Sequence, residues 1–461
     1  MGSANLVGVG LGPTHFHDMN KNLTISPYLF LFKSKNEQFL VYNGLNNSFA
    51  KVNKELYALL VAAQEDIEAL NDLPQETLMV LKESLIICTP ESIQESISQK
   101  KFLKNYTTFQ SKALSLTIAP TSDCNFDCSY CYEKGITHKT MSDETINKLV
   151  EYIVERSKKT QQKVNITWYG GEPLLQTDTI NKILVGLKEK SIEITRQSII
   201  TNGYLLNEEN FKFLTEIGVR FIQITLDGAD AETHNKRRFT RNGKGSWDTI
   251  IENIDKMAAS DVNINLSIRC NIDNSNKEHF YKLQTELKQR WNNNSNITIY
   301  PGILRNHNDI HSGCSYFSDI ESSNYKIEQG IKNKKLQYFR YTIGGCSATK
   351  FNAYLVGPEG ELYKCWNDLG RKDKVVGTIF DMAKVNKSVL LDYLSTFSML
   401  DDAKCKKCCM FFVCDGGCQW ARINNELFGK EESLCNFAKL NLEKYLESYY
   451  ELKQQQRKTN H

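Results

Sequence analysis

The sequence predicts an α/β fold, a partial (β/α)6 barrel of the TIM type with a small winged-helix module before it and a cysteine-dense region after it. Three observations lead there. Six short β-rich runs alternate with helical patterns between residues 114 and 301; a strand, strand, helix, helix order precedes them; and 14 cysteines among 461 residues gather at fixed spacings.

In chain order, residues 1–22 read as a flexible lead. No strand precedes GVGLG there, so a dinucleotide reading of its glycines is set aside. His15 and His17 have no third ligand beside them and are most simply solvated. Residues 23–105 carry strand runs PYLFLFK (27–33) and QFLVYN (38–43), helices near 54–63 and 74–83, and a short wing ending at Thr89-Pro90. From 112 to 310 the runs are LSLTIAP (114–120), VNITWYG (164–170), EITRQSIITN (193–202), VRFIQITL (219–226), VNINLSIRC (262–270) and NITIYP (296–301). Amphipathic stretches separate them; SDETINKLVEYIVERSKK (142–159) opens with a Ser142 cap and two acids facing the helix dipole. Such alternation implies right-handed βαβ units and a parallel sheet, and six units give an open barrel rather than a complete eight. A polar bridging segment (311–345), a cysteine-dense domain (346–435) and a C-terminal helical segment (436–461) follow.

Hydrophobic residues at 41% and charged residues at 24% allow a large core and exclude wholesale disorder. The most apolar runs, such as 56–63, fall far short of the ~20 residues that cross a bilayer, so no membrane span is expected. No basic region followed by an apolar block opens the chain, which points to the cytoplasm. Lys and Arg number 57 against 54 Asp and Glu, an excess of +3 that argues for no nucleic-acid partner. In a reducing compartment, spaced thiols read first as metal ligands rather than as disulfides.

Cys124, Cys128 and Cys131 stand as CNFDCSYC in the loop after the first barrel strand, where βα barrels place their chemistry. Three thiolates can hold three irons of a [4Fe–4S] cube and leave one iron open, whereas a structural zinc site wants four ligands. The second strand ends in Gly170-Gly171-Glu172-Pro173, the third in Thr201-Asn202-Gly203, the fourth in Thr225-Leu226-Asp227-Gly228 and the fifth in Arg269-Cys270-Asn271. Each alone could be an ordinary turn; their shared placement at one end of consecutive strands carries the argument. Further on stand Cys346, Gly360 and Cys365, then Cys405, Cys408, Cys414 and Cys418, then Cys435. AYLVGPEGELYKC reads as a hairpin bringing Cys346 and Cys365 to one end. From spacing alone a pair of zinc ribbons remains open. Cys88, Cys270 and Cys409 read as buried apolar thiols.

CxxxCxxC with Tyr130 before the last cysteine resembles the signature of the radical S-adenosylmethionine (SAM) superfamily, and the later cysteines resemble its SPASM domain, found in enzymes that mature peptides. The resemblance implies an enzyme with three [4Fe–4S] clusters. One, on Cys124, Cys128 and Cys131, would bind SAM and yield a 5′-deoxyadenosyl radical. Two auxiliary clusters would use Cys405, Cys408, Cys414 and Cys435, and Cys346, Cys365 and Cys418, the latter completed by Cys314 or left open for a substrate thiolate. SAM contacts carry over to Gly170, Gly171, Glu172, Pro173, Asn202, Thr225, Arg269 and Asn271; the catalytic base stays unassigned. The N-terminal module resembles the peptide-recognition domain of ribosomal peptide maturases. The implied partners are a precursor peptide with a leader and a low-potential electron donor of flavodoxin or ferredoxin type. The implied reaction is a thioether crosslink from a Cys sulfur to carbon. Alternatives are carbon–carbon (cyclophane) crosslinking, epimerisation, anaerobic sulfatase maturation, or a non-catalytic electron carrier or zinc scaffold.

Overall fold

The computed structural model describes residues 22–110, 113–305, 314–341 and 344–459. The expected lead, with GVGLG, His15 and His17, lies outside the described residues except for Asn22. The chain divides into two compact bodies, one of residues up to 102 with 407–413, the other of 103–406 with 414–461. No helix among the described residues is long and apolar enough to cross a membrane.

In the first body, β1 (Thr24–Ile25) is followed by an antiparallel meander of β2 (Leu29–Lys33), β3 (Phe39–Asn43) and β4 (Ser48–Val52). Helix α1 (Lys54–Ala63) starts where the Asn53 side chain accepts from Leu56 N, and α2 (Gln75–Glu83) follows. Strand β5 (Ile87–Cys88) pairs with β1, and Pro90 opens the long α3 (Pro90–Phe109) where the sequence suggested a wing. β4 escaped the sequence reading because SFAKV lies at the sheet edge with no residue fully buried, so it lacks a two-residue alternation. Asn43, buried in β3, donates to Ser84 O and Leu85 O at 2.9 Å and ties the meander to the turn before β5. Residues 407–413 join this body through Phe411 and Phe412, whose rings meet Tyr28 at 5.9 and 4.9 Å.

The second body is built on one sheet. Strands β6 (Ala113–Ile118), β7 (Lys163–Trp168), β8 (Ile194–Thr201), β9 (Val219–Thr225), β10 (Asn265–Ile272) and β11 (Ile297–Ile303) run parallel in chain order. Between them lie α4 (Asp143–Thr160), α5 (Thr177–Glu189), α6 (Glu208–Glu216), the short α7 (Ala231–Asn235) with α8 (Trp247–Ala258), and α9 (Lys277–Arg290). This is the expected open α/β barrel. Alternation sets its two faces: Leu114, Leu116, Ile118, Val164, Ile166 and Trp168 join the core beneath the helices, and the intervening residues face the other way. On α4 the Ser142 side chain accepts from Thr145 N at 3.1 Å, and Ile146, Leu149, Val150 and Ile153 form the buried stripe. Each such aliphatic side chain contributes ~1.5–3 kcal/mol.

After α10 (Asp319–Lys332), which lies within residues 311–345, β12 (Ala353–Val356) pairs parallel to β6 and turns back into β13 (Glu361–Tyr363). The hairpin closes at Gly360, whose φ of +82° suits a residue without Cβ. β14 (Gly377–Thr378) and β15 (Asp381–Val385) complete a ten-stranded sheet. Short helices α11 (Lys387–Leu391), α12 (Ala403–Lys406), α13 (Gln419–Phe428) and α14 (Phe437–Leu440) lead to the terminal α15 (Leu442–Thr459).

Candidate functional site

A cavity of about 620 Å3 opens at the carboxyl ends of β6–β10, where parallel sheets gather their polar loops. Cys124, Cys128 and Cys131 line it, the only cysteines to do so among the described residues. Gly170, Gly171, Asn202, Thr225, Arg269 and Asn271 form its wall, so the strand-end motifs meet in one place. Glu172 and Pro173 do not line it. The Glu172 carboxylate is fully buried and acts as a strut: it accepts from Thr201 Oγ1 at 2.7 Å, Asn202 N at 2.7 Å and Leu174 N at 3.1 Å, which locks the end of β7 to the end of β8.

The two glycines serve this junction. A Cβ on Gly170, whose φ is +118°, would lie 2.1 Å from Thr121 O, and one on Gly171 would lie 2.2 Å from Asp123 O. Without side chains, Gly171 N reaches Thr121 O at 3.2 Å and Glu172 N reaches Asp123 O at 2.8 Å. The sequence suggested that these glycines clear space for a ligand amine. What the structure shows them clearing is the backbone of the cysteine loop.

Tyr130 anchors the loop from beneath. Its hydroxyl donates to the buried Asp227 carboxylate and accepts from Arg238 Nη1 at 2.7 Å and Asn271 Nδ2 at 3.1 Å. Asp227 also accepts from Asn271 N at 2.8 Å. Arg238 is buried beside Cys128, and its charge opposes the upward push that burial exerts on that thiol. Burial, with Glu133 and Cys128 nearby, likewise pushes the Cys131 thiol up to about 12. Arg237 sits over the Tyr130 ring at 5.4 Å and pairs with the buried Asp273 at 3.1 Å. The sequence reading missed Arg237, Arg238 and His234; the run HNKRR shortly after TLDG was the available signal. His234 accepts at Nδ1 from Asp227 N (3.2 Å), and its Nε2 meets Ser246 Oγ (3.0 Å), which donates to Arg238 O. Gly302 was missed as well: a Cβ there would lie 2.4 Å from Arg269 Nε, so the glycine gives that arginine its room. Arg269 Nε donates to Asn271 Oδ1 at 2.7 Å, and Asn202 Nδ2 donates to Asn125 Oδ1 at 2.7 Å.

The donor set suits a cube with one open iron. Among the described residues no three His, Cys, Asp or Glu converge on a single metal ion; a [4Fe–4S] cube asks for one thiolate per iron at wider spacing. Three thiols on one cavity wall, beside a buried arginine that favours thiolate, meet that requirement, and the uncommitted cavity leaves room for a ligand of the fourth iron.

Elsewhere in this body Cys365 and Cys418 each lie within electrostatic reach of Cys346, so these three thiols come together. Cys314 has a different neighbourhood, made of Tyr316, Arg237, Asp273 and Asp227. Cys405 accepts from Arg422 Nη2 at 3.5 Å, and Cys414 accepts from Gly416 N at 3.3 Å, while Arg422 also donates to Gly416 O. Cys435 belongs to this body and Cys408 to the first. Cys88, Cys270 and Cys409 are buried.

Residues 118–287 match the family model of the Radical SAM superfamily. The chain is 25% identical over 335 residues to the serine-type anaerobic sulfatase-maturating enzyme of Klebsiella aerogenes, spanning 66% of this chain and 80% of that protein. It is 26% identical over 347 residues to the cysteine-type anaerobic sulfatase-maturating enzyme of Clostridium novyi (strain NT), spanning 67% and 88%. Its fold is similar to that of native anSMEcpe with bound AdoMet and Cp18Cys peptide, with a TM-score of 0.57 and 20% identity over 74% of this chain and 98% of that one. With the matched segment and a three-thiol cavity at the strand ends, residues 118–287 form a Radical SAM domain.

Proposed function

We propose that this radical SAM enzyme modifies a ribosomally made precursor peptide in the cytoplasm, joining a Cys sulfur to carbon in a thioether crosslink. The observation that carries the reading is the wall shared by Cys124, Cys128 and Cys131 with Asn202, Thr225, Arg269 and Asn271. A cluster on those thiols, with SAM, would supply a 5′-deoxyadenosyl radical able to take hydrogen from an unactivated carbon. The chain's own residues orient and enclose. Arg269, held by Asn271, offers a planar fork to a carboxylate. Tyr169 and Trp366, with ring centroids 5.0 Å apart, form an aromatic part of the cavity wall.

Cys346, Cys365 and Cys418 would hold one auxiliary [4Fe–4S] cluster, and Cys405, Cys408, Cys414 and Cys435 another. The electrostatic company of Cys314 supports leaving one iron of the first set for a substrate thiolate rather than for Cys314. Residues 23–105 would bind the leader of the peptide, and a flavodoxin or ferredoxin would deliver electrons. A second reading has its own support: the sulfatase-maturating relatives align over 80% and 88% of their length, which favours anaerobic maturation of a sulfatase.

The test is anaerobic reconstitution with iron and sulfide, followed by a low-potential reductant (dithionite or reduced flavodoxin), SAM and a cysteine-containing peptide encoded beside the gene. Deoxyadenosine together with a peptide lighter by one hydrogen pair, and resistant to thiol alkylation, is the expected result. Modification of a sulfatase-derived peptide with no change in the neighbouring one would establish the second reading instead.

A further inference from the structure

A second cavity, of about 230 Å3, lies on the sheet face turned away from the helices, lined by Ser115, Thr117, Asn165, Thr167, Ser198 and Arg196 from β6–β8. Strand alternation brings these polar residues together here, while Leu116 and Ile166, which also border the cavity, and Val164 belong to the apolar core. No Asp or Glu is among its lining residues. Thr167 Oγ1 and Ser198 Oγ satisfy each other at 2.8 Å. Arg196, exposed at the edge, lies over the Phe221 ring at 4.2 Å, a contact that consumes none of its N–H donors. Lys364, which also lines the cavity, is committed by contrast to the carbonyls of Lys350 and Ala353. Trp366 lines both this cavity and the cysteine-bearing one, so a chain seated in the first reaches the second past a single indole.

We infer that this cavity receives a carboxylate of the peptide substrate, gripped by the Arg196 guanidinium and the surrounding hydroxyls, with Trp366 as the partition between anchored and reacting residues. The inference rests on the peptide reading above and adds an acidic group to it as a recognition element. A cationic fork among hydroxyls, with no carboxylate in the lining to neutralise it, favours a planar anion with two oxygens.

The experiment is calorimetric titration of the full reconstituted chain with N-acetyl-L-glutamate α-amide, whose single carboxylate is on the side chain, and with N-acetylglycine, whose single carboxylate is terminal. Saturable binding of either is expected, weakened about tenfold or more when the carboxylate is replaced by a carboxamide or when Arg196 is changed to Gln. The tighter of the two probes tells whether a side chain or a C-terminus is recognised. Arg196→Lys, which keeps the charge and loses the fork, should fall between. Equal binding of acid and amide probes, unchanged binding in folded Arg196→Gln, or displacement of both probes by equimolar inorganic phosphate would overturn the inference. Probe binding requires no SAM cleavage, so its failure leaves the maturation reading intact. Failure of SAM cleavage with normal probe binding overturns that reading alone.

Discussion

Gly171→Ala is the most informative single change in the cysteine loop. The added Cβ would lie 2.2 Å from Asp123 O and 2.8 Å from Ser122 O, both backbone atoms that cannot swing aside. A carbon–oxygen contact relaxes at about 3.3 Å, so the two backbones must part by about 1 Å. That movement strains the bonds from Gly171 N to Thr121 O and from Glu172 N to Asp123 O. At ~1 kcal/mol each, with residual strain, the variant should lose ~2–4 kcal/mol of stability. It also moves Cys124, the next residue in the loop, and a misplacement of ~1 Å can cost about a hundredfold in rate. Gly243→Ala is the control: its φ is +79°, and a Cβ there meets nothing within 4 Å, so only a backbone cost of ~1–2 kcal/mol is expected. Denaturant unfolding of both variants, with iron content and deoxyadenosine production after reconstitution, separates the two effects. If Gly171→Ala were as stable as the control and cleaved SAM at the wild-type rate, the packing argument would be wrong.

Other outcomes follow from the same geometry. Replacing Cys124, Cys128 and Cys131 together with Ala should abolish SAM cleavage and leave about eight irons per chain, counted colorimetrically; retained deoxyadenosine production would move the site elsewhere. Asp227→Asn removes the buried carboxylate that faces Arg238 across the Tyr130 hydroxyl and should cost ~3–5 kcal/mol, whereas Tyr130→Phe, which keeps the charges, should cost less in the same unfolding assay. Burial, reinforced by Arg238, holds His234 well below its ordinary 6.5, so the unfolded chain takes up a proton that the folded one refuses. The stability this gives is present above pH 6.5 and falls as pH drops, by up to ~1.4 kcal/mol per pH unit. His234→Gln should remove that slope, and a difference from wild type that does not vary with pH would contradict it. Asp402 is pushed up by burial, but its hydrogen bond from Arg422 and those from the backbone of Cys405 and Lys404 bring it to about 2. Its contribution of ~2 kcal/mol is present above the ordinary 3.8 and lost as pH falls toward 2, and Arg422→Met should abolish most of it in acid unfolding curves.

The alternation of β-rich runs with amphipathic stretches was enough to specify an open parallel sheet, because strand and helix periods are local properties of the chain. The cysteine loop and the strand-end motifs were legible for the same reason, since parallel strands in chain order must end on one side. Local pattern said nothing of which motif residues would face the cavity. Glu172 lies in the same motif as Gly170 and Gly171 yet turns into the protein, where three donors await it. Arg238 and Gly302 gain their roles only from neighbours distant in sequence, Tyr130 for one and Arg269 for the other. The edge strand β4 was invisible because a strand without a buried face leaves no periodic trace. The sequence by itself determined the order of elements and the grouping of thiols, both written in spacing along the chain. Tertiary structure decided which side chains reach the cavity and which brace the loop, because packing distances, and the burial that sets charge, exist only once separate strands lie side by side.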